Sequence, residues 1–381
     1  MKKLTAMLLM LALTLLACAG CSGGGVETPP VALTLLPVDE MLPEGVTPLG
    51  FADANRLLVL RDGAEWRSQL GMVDLPTGRI IPLVHPDTGK TSDQRLFHAA
   101  LSTRRTVMGG TRYAVVTGQV GTILVDYATG SVSLASFQAD GITPWDSLLA
   151  YDASGAVSLW DPASGETRSA KVSGYGELMA VYPQDDGLLL LFRGADVAAE
   201  EGGEPLCAPV AVFTDRSLKV LRTEKPGVMR CSGPNSLQTA QAGDALLLTV
   251  GGNVLMRDGE RRYTMLLNDG EKLSMTSSDA SAENRSLLSA SGAWLAGVSK
   301  DGKQALICSL NDGALYTLDL TTLTFTEGTT PEGVTDDVHW SGGEYALAGG
   351  RLWRVADQNA ESGEAQGAEA DAEATAEPAA E

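Results

Sequence analysis

A short device recurs along this chain: an apolar stretch, an acidic turn that ends in glycine, and a second apolar stretch. Its clearest copies are Asp74–Gly78, Asp126–Gly130 and Asp161–Gly165. Aspartate and threonine can hydrogen-bond the backbone of their own turn, and glycine adopts positive φ at no steric cost. Each copy therefore predicts two β-strands joined by a tight turn. Because almost no helical periodicity follows residue 30, we predict an all-β fold.

Alignment on this device gives seven positions with a mean spacing of about 47 residues, which is typical of four-stranded propeller blades. The aligned positions are Asp74, Asp126, Asp161, Asp215, Asp258, Asp319 and Asp357. We therefore predict a single β-propeller over residues 31–357, with seven four-stranded blades, while six or eight blades stay open as alternatives. In this prediction the acidic turn leads into the outermost strand of each blade.

The two ends of the predicted propeller complement each other. The last blade has three strands before the sequence turns polar, whereas Val31–Leu36 is a strand that belongs to no blade. An open ring would leave an unpaired strand edge. We therefore predict that the N-terminal strand joins the last blade and closes the ring.

The N-terminus has the features of a targeting segment. Lys2 and Lys3 precede an apolar run, Leu4–Ala17, that is too short for an ordinary membrane span. The run ends in Leu-Leu-Ala-Cys, which resembles the lipobox of bacterial lipoproteins, in which a cysteine is diacylated and the signal peptidase then cuts just before it. The resemblance implies lipidation of Cys18, with Cys21 as the alternative, and a lipid-anchored location on the extracytoplasmic face of the cell membrane.

These observations divide the chain into four segments. They are a signal peptide that is helical in the precursor (1–17), a flexible tether (18–30), the propeller (31–357) and a disordered acidic tail (358–381). The propeller resembles bacterial WD40-like, YVTN-like or quinoprotein-like propellers, and Ser291–Ala296 is similar to the opening of TolB-like blades. The Gly-His and Trp-Asp dipeptides of WD40 blades are not repeated. The resemblance therefore implies an architecture and no particular ligand.

Charge and histidine content narrow the function classes. The formal net charge of -20 argues against binding to nucleic acid or docking on anionic lipid, because both need a basic face. The three histidines, His85, His98 and His339, lie in different repeats, so a histidine metal cluster is not expected. We predict no catalytic residue, no cofactor and no metal site.

Two cysteines lie in neighbouring connections of the predicted fourth blade. Cys207 ends the connection between its second and third strands, and Cys231 lies in the connection that leaves its fourth strand. Connections of these two kinds share one edge of a blade, and disulfides form in exported proteins. Cys207 and Cys231 are therefore a candidate disulfide, with two separate thiols as the alternative. Cys308, in a predicted inner strand, is expected to be a buried apolar residue.

The longest predicted connections all lie on one face of the propeller by the alternation of strand direction. They are His85–Gln94, Gly194–Leu206, Glu224–Asn235 and Asn268–Asn284. Long loops on a rigid scaffold are common binding surfaces, so this face is the predicted contact with a partner. The leading hypothesis is a monomeric, lipid-anchored module that binds a protein, a peptide or an envelope polymer. The alternatives are a propeller lyase, hydrolase or quinoprotein-like enzyme with a central-channel site, and an envelope or outer-membrane assembly factor.

Overall fold

The protein is described here from a computed structural model. The described residues are 31–38, 41–61, 69–84, 106–118, 121–197, 206–230, 237–242, 245–250, 255–257, 260–268, 273–279, 293–309, 314–322, 324–332, 334 and 338–358. The predicted signal helix, tether and acidic tail lie outside these residues, apart from Gln358, the first residue of the predicted tail. In the part that is described, we find no helix with the length and apolar character needed to cross a bilayer.

Seven antiparallel sheets make up the described part of the chain, which is all β. The first strand is β1 (Leu33–Pro37). Blade 1 contains Val46–Asp53 (β2), Arg56–Arg61 (β3), Gln69–Asp74 (β4) and Arg79–Pro82 (β5). Blade 2 contains Thr106–Gly109 (β6), Tyr113–Gly118 (β7), Gly121–Asp126 (β8) and Ser131–Leu134 (β9). Blade 3 contains Gly141–Ile142 (β10), Leu148–Tyr151 (β11), Ala156–Trp160 (β12) and Thr167–Lys171 (β13).

The second half of the chain continues this order. Blade 4 contains Leu178–Gln184 (β14), Gly187–Val197 (β15), Leu206–Asp215 (β16) and Val220–Glu224 (β17), with Met229–Arg230 (β18) paired to β16. An irregular sheet follows, with Leu237–Ala242 (β19), Ala245–Val250 (β20), Leu255–Arg257 (β21), Glu260–Asn268 (β22) and Leu273–Asp279 (β23). Blade 5 contains Ala293–Val298 (β24), Gln304–Ser309 (β25), Leu315–Asp319 (β26) and Thr324–Gly328 (β27). The closing blade contains His339–Trp340 (β28), Tyr345–Ala348 (β29) and Arg351–Asp357 (β30), together with β1.

The number of regular blades differs from the prediction. Six of the sheets contain four strands of which each hydrogen-bonds to the next, and this is the topology of a propeller blade. In the irregular sheet, β21 and β23 both pair with β22, so the strand order departs from the chain order. The prediction of seven four-stranded blades is therefore wrong, and six such blades are found in the described residues. The difference arises at the repeat aligned on Asp258, because the strands before and after that position, β21 and β22, pair with each other and β22 is not an outermost strand.

The core lies between neighbouring blades. The middle strands are buried on both faces, as Leu57, Leu58 and Val59 of β3 illustrate, because a blade packs on each side. One apolar cluster joins blades 1 and 2, and others join blades 2 and 3, blades 3 and 4, and the closing blade with blade 1. Each fully buried leucine contributes about 1.5–3 kcal/mol relative to an exposed one. The chain is a β-propeller.

The N-terminal strand closes the ring, as predicted. β1 pairs antiparallel with β30, so that Leu33 lies opposite Asp357. The Leu33 N–H donates to Thr317 Oγ1 of blade 5 at 2.8 Å, and Thr34 Oγ1 donates to the carbonyl of Thr329 at 2.8 Å. The first strand is therefore bonded to both the last blade and the blade before it.

The acidic turns have the predicted position in five places. The turns that begin at Asp74, Asp126, Asp161, Asp215 and Asp319 each join the third and fourth strands of a blade. Except at Asp74, the carboxylate accepts a hydrogen bond from the backbone N–H two residues later. Asp357 is different, because it ends the third strand of the closing blade while the fourth strand comes from the N-terminus. The device therefore fixes turn geometry.

Candidate functional site

Blade 4 carries a hairpin that extends past the rest of its sheet. β14 pairs with β15 only as far as Phe192, and β17 pairs with β16 only as far as Ala211. Beyond these points β15 and β16 still pair with each other, up to Val197 and Leu206. The connection Gly194–Leu206, predicted to be a loop, thus consists partly of paired strand, and residues 198–205 lie outside the described residues. We call this feature, Ala195–Val197 with Leu206–Pro209, the arm.

A bulge sets the direction of the arm where it leaves the blade. The register of β15 against β16 shifts between Phe192 and Ala195, and Gly194 has a φ of +71°. A Cβ atom at Gly194 would overlap the carbonyl oxygen of Ala208, so glycine is required on steric grounds as well. Arg193 Nη2 lies 2.6 Å from Asp196 Oδ1 across the bulge. Tertiary structure therefore fixes the base of the arm.

A disulfide holds the base of the arm. Cys207 is fully buried and disulfide-bonded. Its register partner in β18 is Met229, two residues before Cys231 in the sequence. Cys231 itself lies outside the described residues, so its pairing with Cys207 stays a prediction. Cys308, in β25, is a fully buried thiol.

The outer strand of blade 4 exposes apolar side chains. Leu221 is 61% exposed and Val220 40%, and Val228, just after the strand, is 43% exposed. Among the described residues, Leu134 is the one other large apolar side chain of this exposure. The register of β17 against β16 shifts between Phe213 and Thr214, which leaves Leu221 as the bulged residue. The bulge therefore presents Leu221 outwards.

The turn before β17 is built by one carboxylate. Asp215 Oδ1 accepts from the N–H groups of Ser217 and Lys219 and from the Ser217 hydroxyl, at 2.6–3.0 Å. The Ser217 hydroxyl and the backbone N–H groups hold the pKa of Asp215 below its ordinary value. Leu218 takes positive φ, at +68°, while its side chain is buried in the cluster between blades 3 and 4. These contacts therefore fix the conformation of the turn from which β17 starts.

Basic side chains accompany the exposed apolar ones. Arg222 stacks on Phe213 at 3.8 Å and pairs with Glu224 at 2.8 Å. Lys219 and Lys225 are exposed, and neither forms an ion pair with a described carboxylate. We call the following set the basic edge: Arg216, Lys219, Val220, Leu221, Arg222, Lys225 and Val228. Residues 216–228 contain these four basic side chains and one acidic one, Glu224, in a chain with a net charge of -20.

The chain enters the propeller at the opposite end of the blades from the arm. Leu33 lies opposite Asp357, at the end of β30 where the other blades have their acidic turn. The Gln358 N–H donates to the carbonyl of Ala32 at 2.9 Å, so the chain leaves at the place where it enters. The arm lies at the other end of its strands, where the second and third strands connect. The two features therefore belong to different faces.

The face with the acidic turns is occupied by a polar network across blades 1 to 3. Arg112 forms an ion pair with Asp126 at 2.7 Å, and Asp146 accepts from the N–H groups of Arg112 and Tyr113. Burial opposes ionisation of Asp126, but the hydrogen bonds from Arg112 and the Ala128 N–H hold its pKa below the usual value. The Arg56 guanidinium lies 4.1 Å from the ring of Tyr127. This network connects blades 1 to 3, so the polar residues in it have a structural role.

A perimeter groove of about 710 Å³ lies between β1 and the acidic turn of blade 1. Apolar side chains including Leu36, Met41 and Leu75 line it, together with Tyr345 and Arg354. Burial raises the pKa of Tyr345 above its ordinary value. The groove borders β1, which is the outermost strand of the closing blade.

Several of the predicted sites lie outside the residues that the structure describes. Cys18 and Cys21, the lipidation candidates, and the connection His85–Gln94 lie outside the described residues, as does the end of Glu224–Asn235. The connection Asn268–Asn284, predicted to be a loop, contains strand β23, which pairs with β22. Among the side chains that are described, no three metal-binding groups come together. The sequence prediction missed the basic edge. Its signal is present as a basic residue at every third position, 216, 219, 222 and 225, around a Val-Leu pair.

No protein-family model matches this sequence, and no curated protein matches it. Among solved structures, the chain is similar to the β-propeller domain of Cps50 (Swd1) from Myceliophteria thermophila, with 15% identity over 86% of this chain and 99% of that one and a TM-score of 0.44. The Pan2 WD40 domain of Neurospora crassa has 10% identity over 86% and 95% of the two chains, with a TM-score of 0.43. Hydrazine synthase from Kuenenia stuttgartiensis has 14% identity over 88% and 98%, with a TM-score of 0.46.

Proposed function

We propose that this propeller is a lipid-anchored extracytoplasmic module that binds a protein, a peptide or an envelope polymer. The proposal rests on one observation. The arm of blade 4 lies at one end of the blades, and the chain enters the ring at the opposite end. A membrane tether attached before Ala32 would hold the face with the acidic turns toward the bilayer. The arm would then extend away from the membrane, where a partner can reach it.

The physical basis is the contrast between the two ends. The end with the acidic turns is stabilised by short turns and cross-blade hydrogen bonds such as those of Asp146. The other end carries the arm, whose base is fixed by a bulge and a disulfide at Cys207. A rigid projecting hairpin loses little conformational entropy on binding, which favours recognition. This contrast supports a binding surface at the arm.

The anchoring step can be tested by replacing the candidate cysteines. The variants Cys18→Ala, Cys21→Ala and the double variant are compared by membrane fractionation and by mass spectrometry of the mature N-terminus. Lipid on Cys18, and release of the Cys18→Ala variant from the membrane, are expected. Lipid on Cys21 would move the site but keep the anchor. A protein without any lipid in a bacterial host with lipoprotein processing would refute the anchoring proposal.

The binding step is tested by removing the arm. Residues 195–208 are replaced by Asn-Gly in a Cys231→Ser background, and a variant with Cys207→Ser and Cys231→Ser that keeps the arm is the matched control. Both are cross-linked in native membranes through a photoreactive residue at Asp196 or at the new turn. Loss of a defined adduct in the arm deletion alone is expected, with thermal unfolding as the check on folding. Equal adducts in both variants would exclude the arm as the binding surface.

A further inference from the structure

The charge of the basic edge favours an occupant of opposite charge. It combines exposed aliphatic side chains, at Val220, Leu221 and Val228, with the exposed basic groups of Lys219 and Lys225. Exposed edge strands with apolar side chains tend to pair with other chains, and lysine on the edge opposes this. A second copy of the same edge would bring like charges together. The surface therefore excludes its own copy and favours an acidic segment.

The chain itself contains such a segment. The acidic side chains after Asp357 are Glu361, Glu364, Glu369, Asp371, Glu373, Glu377 and Glu381, and no lysine or arginine is found among them. Between Ala368 and Glu377 small and polar residues alternate, with alanine at every second position. An extended chain would place these alanines on one side and mostly carboxylates on the other. The alanine side has no large group that would clash with Leu221.

The tail can reach the edge within one molecule. Gln358 is held at Ala32 by its backbone N–H, and 23 residues follow it. Fully extended, they span about 80 Å. A domain of this length has a radius of gyration of about 20 Å, and so a width of roughly 50 Å. A tethered segment of this length also has an effective concentration near the millimolar range, which lets weak contacts populate a bound state.

We infer that the basic edge of blade 4 is the docking site for the acidic tail, residues 358–381, of the same chain. The carboxylates pair with Lys219, Arg222 and Lys225, and the alanine methyl groups cover Val220 and Leu221. The attraction is between exposed charges, so salt weakens it. The inference is independent of lipid anchoring, because both segments belong to the propeller side of the tether.

The test uses the purified full-length chain and a variant of equal length in which the tail carboxylates are replaced by glutamine and asparagine. Acetylation rates of individual lysines are measured by mass spectrometry. At low ionic strength we expect Lys225 and Lys219 to react about two-fold more slowly in the wild type than in the neutral-tail variant, a difference that disappears at about 0.5 M salt. Lys171, exposed on the outer strand of blade 3, is the internal control and should react equally in both proteins.

Zero-length carbodiimide coupling gives a second readout. Cross-linked peptides are expected between Lys219 or Lys225 and the tail, and Lys219→Glu with Lys225→Glu should abolish them without changing the unfolding temperature. A mixture of isotopically labelled and unlabelled chains shows whether the cross-linked tail belongs to the same chain as the lysine or to a second chain. Equal reactivity of Lys225 in both proteins, coupling of the tail to Lys171 as often as to Lys225, or cross-links mainly between differently labelled chains would each overturn the inference.

Discussion

Arg112 holds Asp126 through both carboxylate oxygens: its Nη2 lies 2.7 Å from Oδ2 and its Nε lies 3.3 Å from Oδ1. The acceptor is mostly buried, with 12% of its side chain exposed, whereas 47% of the arginine side chain is exposed. A two-point contact to a buried carboxylate stabilises more than a surface pair, although the exposed arginine reduces the gain.

We expect Asp126→Asn to destabilise the propeller by about 1 kcal/mol at neutral pH. The pKa of Asp126 is lower in the folded chain than its ordinary value, so its contribution is present above about pH 4 and is lost as pH falls through the folded pKa. The measurement is urea unfolding at pH 7 and near pH 3. The gap between wild type and variant should narrow in acid. Asp186→Asn, at a fully exposed side chain, is the control and should show no such change. A gap that stays constant with pH would contradict the ionic role.

Two glycines in blade 3 allow the cost of positive φ to be measured separately from the cost of steric overlap by an added Cβ atom. Gly165 and Gly155 both have positive φ, at +75° and +85°. A Cβ atom at Gly165 meets nothing within 4 Å, while one at Gly155 would overlap the carbonyl oxygen of Val172. Gly165→Ala should cost about 1 kcal/mol, from φ alone, and Gly155→Ala more than about 3 kcal/mol. Thermal unfolding of the two variants checks this order. Similar losses at both positions would show that the Val172 carbonyl moves aside easily.

The ring closure depends on a buried threonine. Thr317 is 2% exposed, and its Oγ1 accepts the Leu33 N–H. Thr317→Val keeps the shape but leaves this N–H without its partner, which should cost about 1–3 kcal/mol. Hydrogen exchange of the Leu33 amide should accelerate more than that of amides in blade 3. Thr324→Val, at the exposed start of β27, is the control. If Leu33 exchange is unchanged, the hydrogen bond does not contribute to closure.

From the position of Cys207 at the base of the arm, we predict a disulfide with Cys231. Cys207 is disulfide-bonded, and its register partner Met229 is two residues from Cys231. Non-reducing peptide mapping should recover Cys207 joined to Cys231. Removal of a crosslink that closes a loop of roughly 25 residues should cost about 3 kcal/mol. Denaturant unfolding of the oxidised protein and of the Cys207→Ser, Cys231→Ser variant measures this. A peptide that joins Cys207 to Cys18 or Cys21 would refute the predicted pairing.

The sequence predicted the features that local chemistry determines. The turns at Asp126 and Asp161 are specified by one carboxylate and one glycine within five residues, and the closing strand followed from counting strands. The irregular sheet was not predicted, because an Asp-Gly pair such as Asp258-Gly259 has the same local chemistry whichever two strands of a sheet it separates. Whether a regular blade or an irregular sheet forms depends on which strands pair, and these strands lie far apart in the sequence.

The candidate site shows the same limit. Gly194–Leu206 looks like a loop because glycine and acidic residues dominate it, yet pairing with β16 makes its ends a hairpin. The exposure of Leu221 was not predicted either. An alternating strand normally buries one face, and the register shift beside Phe213 is set by contacts with β16. Burial of Leu218 at positive φ is likewise a tertiary effect that overrides local preference.

The pairing of Leu33 with Asp357 joins the first strand to the last. During synthesis, β1 has no partner until β30 has been made, and contacts between such distant segments form late. A chain that is cut short before β30 would remain an open arc with two unpaired edges, and cellular proteases act readily on such forms. We therefore expect chains in which β1 has paired with β30 to resist degradation better than chains that end before β30.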